Sequence, residues 1–94
     1  MKEFVRSDEY MGRIFMDAMD RHVVMDARVT FVMKGPKLKA YCEKTDTYLQ
    51  FPRHLRKRGT TLIADIIKSK KADGAVFYRA YPHSIRDLEG NLLE

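Results

Sequence analysis

The chain has 94 residues, room for one domain with a modest buried core. Its 45% hydrophobic and 33% charged content excludes a disordered chain, and its single cysteine excludes a disulfide framework or a cysteine-rich zinc site. The net charge of +5 is unevenly spread: residues 34–71 carry 11 Lys/Arg against 3 Asp/Glu, a net +8, whereas residues 1–33 come to −1 and residues 72–94 to −2.

No apolar run approaches the roughly 20 residues of a membrane span. The opening Met1-Lys2-Glu3-Phe4-Val5-Arg6 lacks the apolar segment of a signal peptide. The expectation is a soluble, cytoplasmic protein with no membrane partner. Residues 1–6 read as an extended arm.

Ser7 reads as a helix N-cap, with Asp8 and Glu9 placed where the helix dipole favours negative charge. Met11, Ile14, Phe15, Ala18, Met19 and His22 follow at helical spacing, so the pattern predicts an amphipathic helix over 8–23. The opposite face carries Arg13, Asp17 and Arg21 at i,i+4 spacing. The Met/Phe stripe reads as core packing, with the six methionines filling irregular gaps. A cofactor or partner groove is the competing reading, favoured if Met11, Phe15 and Met19 prove exposed.

From Ala27 the period changes to two. Ala27, Val29, Phe31 and Met33 predict one buried face of a strand. Gly35-Pro36-Lys37 predicts a turn, and Leu38, Ala40 and Cys42 predict a second strand forming a hairpin with the first. Cys42 falls on the apolar phase and reads as a small core residue rather than a nucleophile. Thr47 to Phe51 is a third short strand, stopped by Pro52. Arg53 to Arg58 reads as a helical turn or an irregular loop, with Gly59 as its stop. Residues 60–68 fit a helix by spacing and a strand by their β-branched content, and the reading favours a strand. Residues 75–81 are a further strand, and 84–94 are expected to form a peripheral tail.

These elements predict a single α+β domain over 1–94. Its N-terminal amphipathic helix packs on a small antiparallel sheet or a partly open barrel of four to five strands.

The basic block carries the functional signal. Arg53, His54, Arg56, Lys57 and Arg58 form one run; Lys68, Lys70 and Lys71 form a second, with Lys34, Lys37 and Lys39 around the hairpin. Phosphate binding needs this composition, because neutralising phosphates releases counterions and arginine offers a planar fork to phosphate oxygens. Tyr41 and Tyr48 fall on the polar phase of their strands, and Tyr78 is a further candidate of the same kind. Exposed aromatics among cations suit unpaired bases. The reading is therefore a non-enzymatic nucleic-acid-binding domain, for RNA or single-stranded DNA, in which Arg56 and Arg58 contact phosphates.

Two alternatives use the same residues. One is an adaptor or inhibitor docking on an acidic protein surface, for which complementary charge would serve equally. The other is a metal-independent ribonuclease with His54 as general base, for which no second acid/base residue is evident. The sequence carries no paired-carboxylate, nucleophile-elbow or glycine-rich phosphate motif, and its histidines and cysteine lack ligand spacing. No catalytic residue, metal or cofactor is expected. Strand-edge lysines and the Met-rich helix leave homodimerisation open.

Overall fold

Helix α1, Asp8–Asp20, begins where Ser7 Oγ accepts the backbone N–H of Tyr10 at 3.1 Å. This computed structural model describes residues 2–93; Met1 and Glu94, the outer ends of the expected arm and tail, lie outside them. The helix stops before the 23 that spacing suggested, because Val23 already pairs with Ile67 in the sheet.

Five strands follow: β1 (Val23–Lys34), β2 (Lys37–Cys42), β3 (Thr47–Gln50), β4 (Thr61–Lys70) and β5 (Val76–Ala80), with a 3-10 turn at Arg53–Leu55 between β3 and β4. They close into a barrel in the order β1-β2-β3-β5-β4, with β4 pairing back onto β1. The expected α+β domain, an N-terminal helix packed on a small barrel of five strands, is present; four of the pairings are antiparallel and β3–β5 is parallel, and the barrel is closed rather than partly open. Residues 61–70 are strand, as β-branching indicated.

The β1–β2 hairpin forms in the expected register, with Lys34 opposite Lys37. Its turn has Gly35 at φ 60°, a conformation that a side chain disfavours and that two-residue hairpins require. β1 begins earlier than the alternation showed. A bulge between Val24 and Ala27, with Asp26 at φ 56°, breaks the period there.

The barrel interior holds Ala27, Val29, Phe31, Ala40, Cys42, Leu49, Phe51, Leu62, Ala64, Ile66 and Ile85. Alanines on three strands leave room for the larger side chains, and the rings of Phe31 and Phe51 meet edge-on at 5.4 Å. Among the described residues no methionine belongs to this barrel core: Met16, Met19 and Met33 are exposed, and of the gap-filling role expected of the methionines only Met25 shows a trace, packing partly buried against the cluster outside the barrel. β4 is apolar on both faces because its outer side is also covered. Ile67 packs there with Ile14 of α1 and with Tyr81.

The helix meets the barrel through a face rotated from the one its hydropathy suggested, sharing only Ile14 with it. Tyr10 and Ile14 turn inward, whereas Phe15 and Met19 face solvent. His22, expected on the apolar face, is exposed beyond the helix end. Asp17, assigned to the outer face, accepts the Tyr81 hydroxyl at 2.6 Å. Burial, with this bond to a carboxylate, pushes the Tyr81 hydroxyl pKa up.

The tail is not peripheral. Ser84, Ile85 and Arg86 are buried, and backbone bonds join Ile63 with Arg86 in both directions. The arm lies against the same region, with Phe4 N–H donating to Gly90 O at 2.8 Å and Leu92 N–H to Lys2 O at 2.7 Å. A charged cluster explains this arrangement. Asp65 is fully buried and accepts from Arg6 Nη2 (3.0 Å), the Tyr10 hydroxyl (2.6 Å), the Asp26 N–H (2.9 Å) and Arg86 (3.4 Å). Arg6 and Arg86 also share the Asp26 carboxylate, and the Arg86 guanidinium lies 4.1 Å from the Phe4 ring centre. Ser84 Oγ accepts the Asp65 backbone N–H. One carboxylate thus joins arm, helix, β1 bulge, β4 and tail.

Burial would raise the Asp65 pKa, but the bonds from Arg6, Tyr10 and Asp26 and the charge of Arg86 outweigh it and hold the carboxyl below its usual range. A depressed pKa contributes stability that is fully present above the unfolded value of about 3.9 and is lost as pH falls through the folded value. The protein is expected to lose stability progressively on acidification below about pH 4. In an Asp65→Asn variant that part of the pH dependence should disappear from urea midpoints measured across the acid range.

Candidate nucleic-acid interface

Because Ala40, Cys42 and Leu49 point into the barrel, their neighbours Lys39, Tyr41, Tyr48 and Gln50 point out from β2 and β3. Tyr41 and Tyr48 are cross-strand partners, with ring centres 5.7 Å apart and planes at 65°. Tyr48 is 41% exposed, and the ammonium groups of Lys34 and Lys39 sit 4.6 and 5.9 Å from its ring centre. The Tyr41 hydroxyl donates to Asp46, and that bond raises its pKa. The bond also fixes the ring against the β2–β3 turn, where Asp46 sits at φ 50°.

Beside this pair, Lys37, Leu38, Lys39, Arg53 and Arg56 line a cleft of about 540 Å3. An adjoining hollow of about 270 Å3 is lined by Lys39, Tyr48, Gln50, Arg56, Phe77 and Tyr78, among others. Four of the expected cations therefore meet, on the β1–β2 hairpin side of the 3-10 turn. His54, Lys57 and Arg58 are exposed farther along the same loop, where Gly59 turns the chain at φ 79°.

Arg56 has work of its own. Its Nη2 and Nε donate to Phe51 O at 2.8 and 3.2 Å, and its Nη1 to Leu38 O at 3.3 Å. It ties the loop to β2 and to the end of β3. Arg56→Ala is expected to cost about 1–2 kcal/mol through these lost bonds and to speed amide exchange over residues 53–58. If Arg56 acts mainly on phosphate, exchange will be unchanged and the salt slope of binding will fall by about one.

Lys68 and Lys70 are not part of this group. They line a separate cleft of about 900 Å3 with Ala18, Met19, Arg21, His22, Phe77 and Arg79. Lys71 holds its ammonium 5.6 Å from the Phe77 ring centre. Tyr78, though it lines the hollow beside Tyr48, is not a surface ring: it pairs in register with inward-facing Leu49, packs on the barrel core and meets the His22 ring edge-on at 6.4 Å. The outward residues of β5 are Phe77 and Arg79, the latter donating to Ser69 Oγ at 3.2 Å. Sequence alternation alone gave β5 no definite phase, so Phe77 was not recognisable as a surface aromatic. Lys34 was visible only as a turn-flanking cation.

Among the described residues, no group of three or more His, Cys, Asp or Glu is placed to hold a metal ion, and no helix is long and apolar enough to cross a membrane. In comparisons with known proteins the chain matches no family model, no curated protein and no solved structure.

Proposed function

We propose that the protein binds single-stranded nucleic acid, without catalysis, across the outer face of β2 and β3. The observation that carries this reading is the exposed Tyr48 ring, set between Lys34 and Lys39 and paired with Tyr41. An aromatic face offers a base a stacking partner, and ammonium groups a few ångströms away meet the flanking phosphates. A duplex keeps its bases stacked and unavailable, so the arrangement favours unpaired strands. Arg53 and Lys37 extend the cationic surface on one side, and Phe77 provides a further ring on the other.

The topology supports the same surface. A five-stranded barrel in this strand order has the architecture of the OB class, which takes oligonucleotides and oligosaccharides on the face of its second and third strands. Fold alone assigns no function, and here the choice of a polyanion rests on the cations around Tyr48.

Fluorescence anisotropy with short single-stranded RNA, single-stranded DNA and duplex probes at two salt concentrations tests the reading. The expected result is salt-sensitive binding that is tighter for single strands. Equal, weak binding to all three probes would overturn it and direct attention to an acidic protein partner.

A further inference from the structure

Helix α1 is apolar on two opposite sides. Tyr10 and Ile14 face the barrel. On the other side Phe15, Met16 and Met19 are 65%, 72% and 86% exposed. With Gly12 they occupy i, i+3, i+4 and i+7, one continuous face that the barrel does not cover. Nothing lies within 4 Å of where a Cβ would sit on Gly12, so the face has a hollow near its start and a projecting Met19 near its end. Its ends differ in charge. Asp8 and Glu9 are exposed at the N-terminal end, where Glu9 meets Arg13 at 3.4 Å. The last turn of the helix holds no basic residue, so the positive charge at the C-terminal end comes from Arg21, exposed just past the helix, and from Lys68 and Lys70 of β4, which share a cleft with Met19.

We propose that this face binds a second copy of the chain, helix against helix and antiparallel, about a two-fold axis near Phe15 and Met16. The complementarity is internal to the sequence. An antiparallel pair sets Met19 of each copy over the Gly12 hollow of the other. It also sets Asp8 and Glu9 of each copy beside Arg21 and Lys68 of the other. A parallel pair would place like charges together at both ends. Such an isologous contact is self-limiting and closes at two copies. A helix of 13 residues supports a contact at the small end of stable interfaces, so the dimer depends on concentration. α1 packs on residues of β1 and β4, the side of the ring away from β3, so both tyrosine faces stay open in the dimer.

Sedimentation equilibrium of the full chain over a range of concentrations tests the proposal. Wild type is expected to show a monomer–dimer equilibrium, and Met19→Lys to raise the dissociation constant by about tenfold or more. Because Met19 is exposed, its replacement should leave the melting temperature of the monomer and the affinity for single-stranded probes unchanged. Asp8→Lys/Glu9→Lys and Arg21→Glu/Lys68→Glu should each dimerise poorly alone, and their equimolar mixture should recover dimer. Mixing cannot repair lost helix stability, so recovery reports the intermolecular register. A wild-type protein that is monomeric throughout, a Met19→Lys variant that dimerises as wild type does, or a mixture without recovery would overturn the proposal.

Discussion

Asp65→Ala is expected to lower the melting temperature by roughly 15–30 °C, the largest effect of any single substitution considered for this chain. The alanine removes the acceptor for Arg6, Tyr10 and the Asp26 N–H and leaves the buried Arg86 with Asp26 as its charge partner, beside the Ser84 carbonyl and the Phe4 ring. Breaking a buried ionic group from one side costs about 3–5 kcal/mol, because the remaining charge keeps its desolvation penalty. Total stability in a domain of this size is about 5–15 kcal/mol, so the variant approaches the threshold of folding. Differential scanning calorimetry measures the shift. The double variant Asp65→Leu/Arg86→Met should be more stable than Asp65→Ala, because it also removes the buried Arg86 charge that the alanine variant leaves behind. A drop of only a few degrees in Asp65→Ala would show that the cluster does not hold arm, helix and tail to the barrel.

The position of that cluster explains which parts of the fold were legible in the sequence. Period-two alternation in residues 27–34 and 37–42 reports inward-facing side chains directly, and the Gly35-Pro36 turn fixes the hairpin register. The β-branched run at 60–68 has the composition of a strand covered on both sides, and β4 is covered on both sides. The orientation of α1 was not legible, because polar groups decide it. Tyr10 and Asp17 reach acceptor and donor partners on the barrel exterior, Asp65 and Tyr81, which lie 55 and 64 residues away in the chain. A hydropathy pattern records neither bond, so it assigned Phe15 and Met19 to the core. Asp65 reads from the sequence as the one acid of the basic block after Asp46, suited to a local ion pair or hydrogen bond, and it makes both, though with distant partners. Its partners Arg6 and Arg86 lie near opposite ends of the sequence and meet only after the barrel closes. The site shows the same division. Tyr41, Tyr48 and the hairpin lysines follow from alternation, whereas Arg56, counted among the phosphate contacts, is occupied with Phe51 and Leu38 carbonyls.

Tyr48→Ala is expected to weaken single-strand binding by about 1–3 kcal/mol, roughly 5- to 150-fold, at either salt concentration. The loss belongs to stacking, so the slope of affinity against salt should change little. Lys39→Ala should do the reverse, lowering the slope by about one with a smaller loss of affinity. Both side chains point away from the barrel core, so the two variants should melt close to wild type. Anisotropy titrations of the pair separate a stacking surface from a merely cationic one. Equal losses in the two variants, each confined to the salt-dependent part, would remove the tyrosines from the account.

Backbone amide chemical-shift mapping with a short single-stranded RNA tests the central claim most directly, because it locates contact without altering a residue. The account predicts perturbations concentrated on Lys34, Lys37, Lys39, Tyr41, Tyr48, Gln50 and Arg53, reaching Phe77, with helix α1 unaffected. Perturbations centred instead on Phe15 to Arg21 and on Lys68 and Lys70, or none at saturating RNA, would contradict it.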